Sequence, residues 1–156
     1  MEGSKEITFS ISKKSILYKI GINSYYRGER LKDDMGAVAA RVQSGVDNDD
    51  VLSDELDIAV THVVAIVSRN LGRCTVEEQD EAEEKKINFK VVGASLFPDD
   101  LIPVVEKAIA TFLFDKTLEG WVLINMPSEV QSLGNRSESD AERLRQLLVE
   151  REKPIR

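Results

Sequence analysis

From Leu52 to Leu71 the large apolar residues return every three or four positions: Leu52, Leu56, Ala59, Val63, Ile66, Val67, Leu71. That rhythm puts them on one stripe of a helix and leaves a polar face for solvent. Asp49 or Asp50 can cap the start. Gly72 suits the stop, with Arg69 and Arg73 near the negative end of the helix dipole. Such a stripe is stable only against a second apolar surface, and the helix opened by Pro98-Asp99-Asp100, with an Asp as its cap, supplies one. Leu101, Val104, Val105, Ala108, Ile109, Phe112 and Leu113 form the second stripe, and Pro103 falls in the first turn, where a missing N–H costs little. Leu56, Val63, Val67, Val105, Ile109 and Phe112 are therefore expected to share one core, with the later helix running on toward Trp121.

Two shorter segments alternate with period two. Ile7, Phe9 and Ile11 alternate with polar residues, as do Ile87, Phe89 and Val91. Each reads as a half-buried strand, and the simplest arrangement pairs Ile7–Ile11 with Ile87–Val91. Ser12 offers a cap oxygen to a helix over Lys13–Tyr26, with Gly28 as its stop. Residues 30–50 read as a mobile loop. Residues 74–86 do too, because Glu77 to Lys86 is nearly all charged and cannot pack on an apolar surface. Asn125-Met126-Pro127-Ser128 marks a break. Ser137 then opens a last helix over Asp140–Glu152, with Leu144, Leu147 and Leu148 as a narrow apolar seam. The expected fold is predominantly α, four or so helices with a small two-stranded β element, in one compact α+β domain spanning residues 1–156.

Composition bears on function mainly by exclusion. The chain has 156 residues and a net charge of −7, which argues against wrapping duplex DNA by phosphate neutralisation. No apolar run approaches the roughly 18 residues of a membrane span, and the opening lacks a signal-peptide pattern. One cysteine, Cys74, excludes an intramolecular disulfide and suits a reducing compartment. His62 is the only histidine and has no partner at ligand spacing, and Cys74 has no nearby base. The glycines form no phosphate-binding motif, and the acidic runs lack the spacing of a calcium loop. No catalytic, cofactor-binding or metal-binding residue is assigned, and neither nucleic acid nor membrane is expected as a partner. Tyr25, Tyr26, Trp121, Leu144, Leu147 and Leu148 stand out instead. A tyrosine pair at a helix end, a tryptophan at the far end of a stripe and a narrow leucine seam on a charged helix suit a protein–protein surface, with residues 137–156 packing on a partner.

The order of these features resembles a family of small proteins encoded among the structural genes of Bacteroides phages and prophages. The matching elements are the opening ITFSISKKSILYKIGINSYYRGERL, the helix DELDIAVTHVVAIVSRNLGR, the segment FPDDLIPVVEKAIATFLFDKTLEGWV and the charged terminal helix closing in REKPIR. Gly72-Arg73, and Pro98-Asp99-Asp100 followed by Ala108-Ile109, also resemble phage head–tail connector proteins, although the family's terminal segment is more basic than REKPIR and the Asp47–Asp50 run is not a connector feature. The resemblance implies a non-enzymatic virion structural, assembly or adaptor protein. Its partners would be other virion proteins or further copies of itself, and its place the bacterial host cytoplasm during assembly, or the virion. The alternatives are an acidic regulatory or inhibitor protein of a mobile element, and an enzyme built from dispersed carboxylates.

Overall fold

A computed structural model describes residues 6–20, 46–81, 84–93, 97–125 and 130–149. Strand β1 (Glu6–Ser12) leads directly into helix α1, helical over residues 13–20. Ser12 caps this helix as its position suggests, its Oγ accepting the Ser15 N–H at 3.2 Å. Helix α2 (Val46–Asn70) is followed by a hairpin of β2 (Arg73–Glu81) and β3 (Glu84–Val92). A 3-10 turn (Asp99–Leu101) opens helix α3 (Ile102–Asn125), and helix α4 (Val130–Leu148) closes the described chain. Among the described residues, no helix is long and apolar enough to cross a membrane.

The mostly helical domain is as expected, but the sheet has three strands, not two, in the order β1-β3-β2 and antiparallel throughout. The expected pairing is present: Ile7 faces Val91, Phe9 faces Phe89 and Ile11 faces Ile87. The third strand is the charged segment, which was expected to be a loop. Glu77 to Glu81 is strand, pairing with residues 84–88. An edge strand can carry charge on both sides, because only part of its surface has to meet the core.

One face of the sheet lies under the helices. Ile7, Phe9, Ile11, Ile87, Phe89 and Val91 are buried there, and Phe97 meets Phe9 edge-on at a ring separation of 6.2 Å. The six residues expected to form the helix–helix core are all buried in this same cluster. Helix α3 packs on α2, α4 and β1, while α2 also covers the start of β2. The end of α2 presses onto the sheet at Gly72. A Cβ there would stand 2.5 Å from the Val92 carbonyl oxygen, so only glycine fits the approach. The Leu71 and Gly72 amides both turn back to the Val67 carbonyl, at 2.9 and 3.3 Å.

Three helix boundaries differ from expectation. Helix α2 begins at Val46, about one turn before the Asp49-Asp50 cap. The turn before α3 has no side-chain cap. Helix α4 begins at Val130 and runs through Ser137 without a break. Ser137 is buried inside this helix, where its hydroxyl donates to the Glu119 carboxylate and lies 3.1 Å from the Gly134 carbonyl. A serine satisfied in this way belongs in a helix interior, so it is no cap.

Candidate functional site

Of the residues expected to form a surface, those described do not converge on one. Trp121 is 0% exposed, as are Leu144 and Leu148, and Leu147 packs partly buried against the same core. The reason lies in α3, which has α2 on one side and α4 on another, so its stripe stays enclosed past Gly120. The seam of α4 is narrow but complete: Leu133, Ser137, Ala141, Leu144 and Leu148 are all buried. The terminal helix thus covers its own domain, and Trp121 and the leucines are core residues. Tyr25 and Tyr26 lie outside the described residues. His62 is exposed and lines a shallow groove with Phe112 and Arg145, whereas Cys74 is buried on the inner face of the sheet. Burial pushes the Cys74 thiol up to about 11, which keeps it protonated at neutral pH. Among the described residues, no group of three or more His, Cys, Asp or Glu is placed to hold a metal ion.

The sheet offers a different site. In an antiparallel strand the N–H and C=O of one residue point the same way, and successive residues alternate sides. Two hydrogen bonds establish which residues point outward. On β1 the Ser10 N–H donates to the Glu106 carboxylate of α3 at 2.7 Å, away from β3. On β2 the Cys74 N–H meets Ser68 Oγ of α2 at 3.3 Å, again away from β3. By the period of two, Thr75 and Glu77 bond to β3, while Val76 and Glu78 direct their backbone groups outward. The register agrees, since Ser10 and Glu77 flank the same β3 residue, Asn88, from opposite sides.

Among the described residues, each edge has one outward amide occupied by a helix side chain, Ser10 of β1 by Glu106 and Cys74 of β2 by Ser68. Among them too, the outward backbone of Thr8 on β1, like that of Val76 and Glu78 on β2, has no strand beside it. The edges differ in cover: the inner residues of β1, Ile7, Phe9 and Ile11, are all buried. The inner face opens along β2. Cys74 is 7% exposed and Val76 39%, and the Glu78 side chain is half exposed. Lys13 reaches Glu78 at 3.3 Å and Lys90 reaches Glu77 at 2.9 Å, and this bond pushes the Lys90 ammonium upward from its usual value. Sequence reasoning missed this edge. Its one signal was the short alternation Arg73-Cys74-Thr75-Val76, followed by an acidic run and then Lys85-Lys86, so that opposite charges face across a hairpin.

A second polar cluster lies between α3 and α4. Asp115 is 3% exposed and accepts a 2.8 Å bond from the Arg136 guanidinium. Asp140 lies against Asp115, and its Oδ2 is buried with no hydrogen-bond partner. Burial first, then the adjoining Asp115, raises the Asp140 pKa from 3.8 to about 7, against the opposing pull of Arg136 and Arg143. The cluster borders a groove of about 420 Å³ lined in part by Lys107, Thr111 and Arg143. Further along, Glu55 of α2 lies over Gly120, and its pKa is raised by burial and by Asp54 and Glu119, with Lys116 opposing. The Arg136–Asp115 pair and the Ser137–Glu119 bond tie α4 to α3. Comparison of the chain with protein-family models, curated proteins and solved structures found no match.

Proposed function

We propose that this chain is a non-enzymatic assembly or adaptor protein that binds another protein by strand addition to β2. In that mode an extended partner segment bonds to the exposed backbone of a sheet edge, and flanking side chains select it. The observation that carries the reading is the state of the β2 edge: among the described residues no strand lies beside the outward backbone of Val76 and Glu78, and the inner face there is only partly covered, whereas the inner residues of β1 are all buried. The apolar Val76 beside that open backbone adds surface for a partner residue to cover. The phage setting is part of the proposal and rests on the resemblance of the sequence elements. On this reading the partners are proteins encoded beside this chain, and residues 25 and 26 are not required.

Val76→Pro tests it. Proline removes an N–H that faces away from β3, a substitution an edge strand tolerates. The variant should keep a cooperative melt yet lose binding to the neighbouring gene products, followed pairwise by sedimentation. A folded Val76→Pro that binds the same protein as tightly as the parent chain overturns strand addition at β2.

A further inference from the structure

We infer that the segment accepted by the β2 edge is an extended basic strand, with two adjacent lysine or arginine residues, one for each face of the sheet, flanked by uncharged residues. The inference rests on the strand-addition reading and adds the chemistry of the occupant. Position by position, β2 presents Val76 and Glu78 on the inner face and Thr75 and Glu77 on the outer. Both glutamates stay accessible, with side chains 62% exposed at Glu77 and 50% at Glu78. A carboxylate accepts several hydrogen bonds, so each can receive a second cation beside the lysine it already holds. The strand on the other side of β2 is an internal example of what β2 pairs with. Strand β3 reads Glu-Lys-Lys-Ile-Asn-Phe-Lys-Val-Val, and it sets Lys85 opposite Asp80, Lys86 opposite Gln79 and Lys90 diagonal to Glu77. A strand of the same pattern on the open side would repeat those cross-strand pairs.

Charge also argues against a second copy of this chain as the occupant. Antiparallel pairing of β2 with another β2 brings Glu77, Glu78, Asp80 and Glu81 of each copy together, and like charges across strands repel. A basic segment meets attraction at the same positions, within a chain of net charge −7.

The test uses the full chain and three blocked heptapeptides of valine and threonine that differ only in an adjacent central pair, of lysines, of glutamates or of serines. Amide exchange at Val76 and Glu78 reports occupancy, and titration gives affinity. The lysine peptide should slow both amides, and raising the salt from 50 to 300 mM should weaken its binding. Val76→Pro should abolish binding. Glu77→Gln with Glu78→Gln should weaken it about five- to tenfold, the scale of two exposed ion pairs, while the chain still melts cooperatively. Equal binding of all three peptides at these amides overturns the charge selectivity and leaves strand addition standing. Slowing of the same amides by self-association, with no peptide bound, makes the occupant a second copy and overturns the inference. Lysine-peptide binding that Val76→Pro does not disturb overturns the inference and the strand-addition reading together.

Discussion

Asp140→Asn should make the protein more stable at pH 8 and leave it unchanged at pH 4. The substitution keeps the size of the side chain and places an N–H₂ where a protonated Asp140 would donate toward Asp115. At about 1.4 kcal/mol per tenfold change, the rise of the Asp140 pKa from 3.8 to about 7 corresponds to about 4 kcal/mol of preference for the protonated form. Asp140 is partly exposed, and solvent screening reduces this to about 1–2 kcal/mol. Because the folded-state pKa lies above the unfolded one, the contribution is complete below about pH 4 and disappears as pH rises through about 7. Above that, two carboxylates share a partly buried site with Arg136 and Arg143 alone to offset them. Asparagine cannot ionise, so the variant escapes the loss. Urea unfolding of both proteins at half-unit steps from pH 4 to 8 gives the difference in free energy directly. The expected curve is flat near zero at acidic pH and climbs to about 1–2 kcal/mol in favour of the variant. A difference independent of pH, or one that favours the parent chain at pH 8, refutes the raised pKa of Asp140.

Three further outcomes follow from the packing. Gly72→Ala should destabilise the fold by about 1–3 kcal/mol, since its Cβ would press on a backbone carbonyl that cannot swing aside; thermal melting measures it. Trp121→Ala should cost about 3–5 kcal/mol of stability without changing the oligomeric state in sedimentation, because the indole is enclosed by its own domain. Ile109→Asp or Val63→Asp should abolish cooperative folding in circular dichroism by burying an unpaired charge.

The parts of this fold that can be read from sequence are those where one residue pattern reports one surface. The stripes of α2 and α3, the Ser12 cap and the pairing of Ile7–Ile11 with Ile87–Val91 all have a buried face that imposes a period. Strand β2 escapes because its inner face is fully covered at Cys74 and only partly at Val76 and Glu78, so nothing past Val76 has to be apolar. Its connection to β3 also lacks the glycine or asparagine that marks a tight hairpin. The first turns of α4 are hidden by Gly134 and by Ser137, a serine on the buried stripe that is satisfied by Glu119 on another helix. Asp115 and Asp140 stand 25 positions apart on different helices, and only helix packing brings them together. A hint existed in both cases: Asp115 and Ser137 are polar residues at stripe spacing, and such residues need a partner on the facing element. Trp121 could not be placed in core or interface from sequence for the opposite reason, since a stripe alone does not say how many neighbours enclose its helix.

Amide hydrogen exchange along β2 tests the central claim most directly, namely that one side of this strand is bonded and the other open. In the free chain, Thr75 and Glu77 should exchange slowly, held by β3, while Val76 and Glu78 exchange fast. Addition of the partner should slow Val76 and Glu78 and leave Thr75 and Glu77 as they were. Four uniformly slow amides in the free chain would mean that the edge is already covered. Four uniformly fast ones would mean that β2 is not a stable strand, and either result contradicts the account.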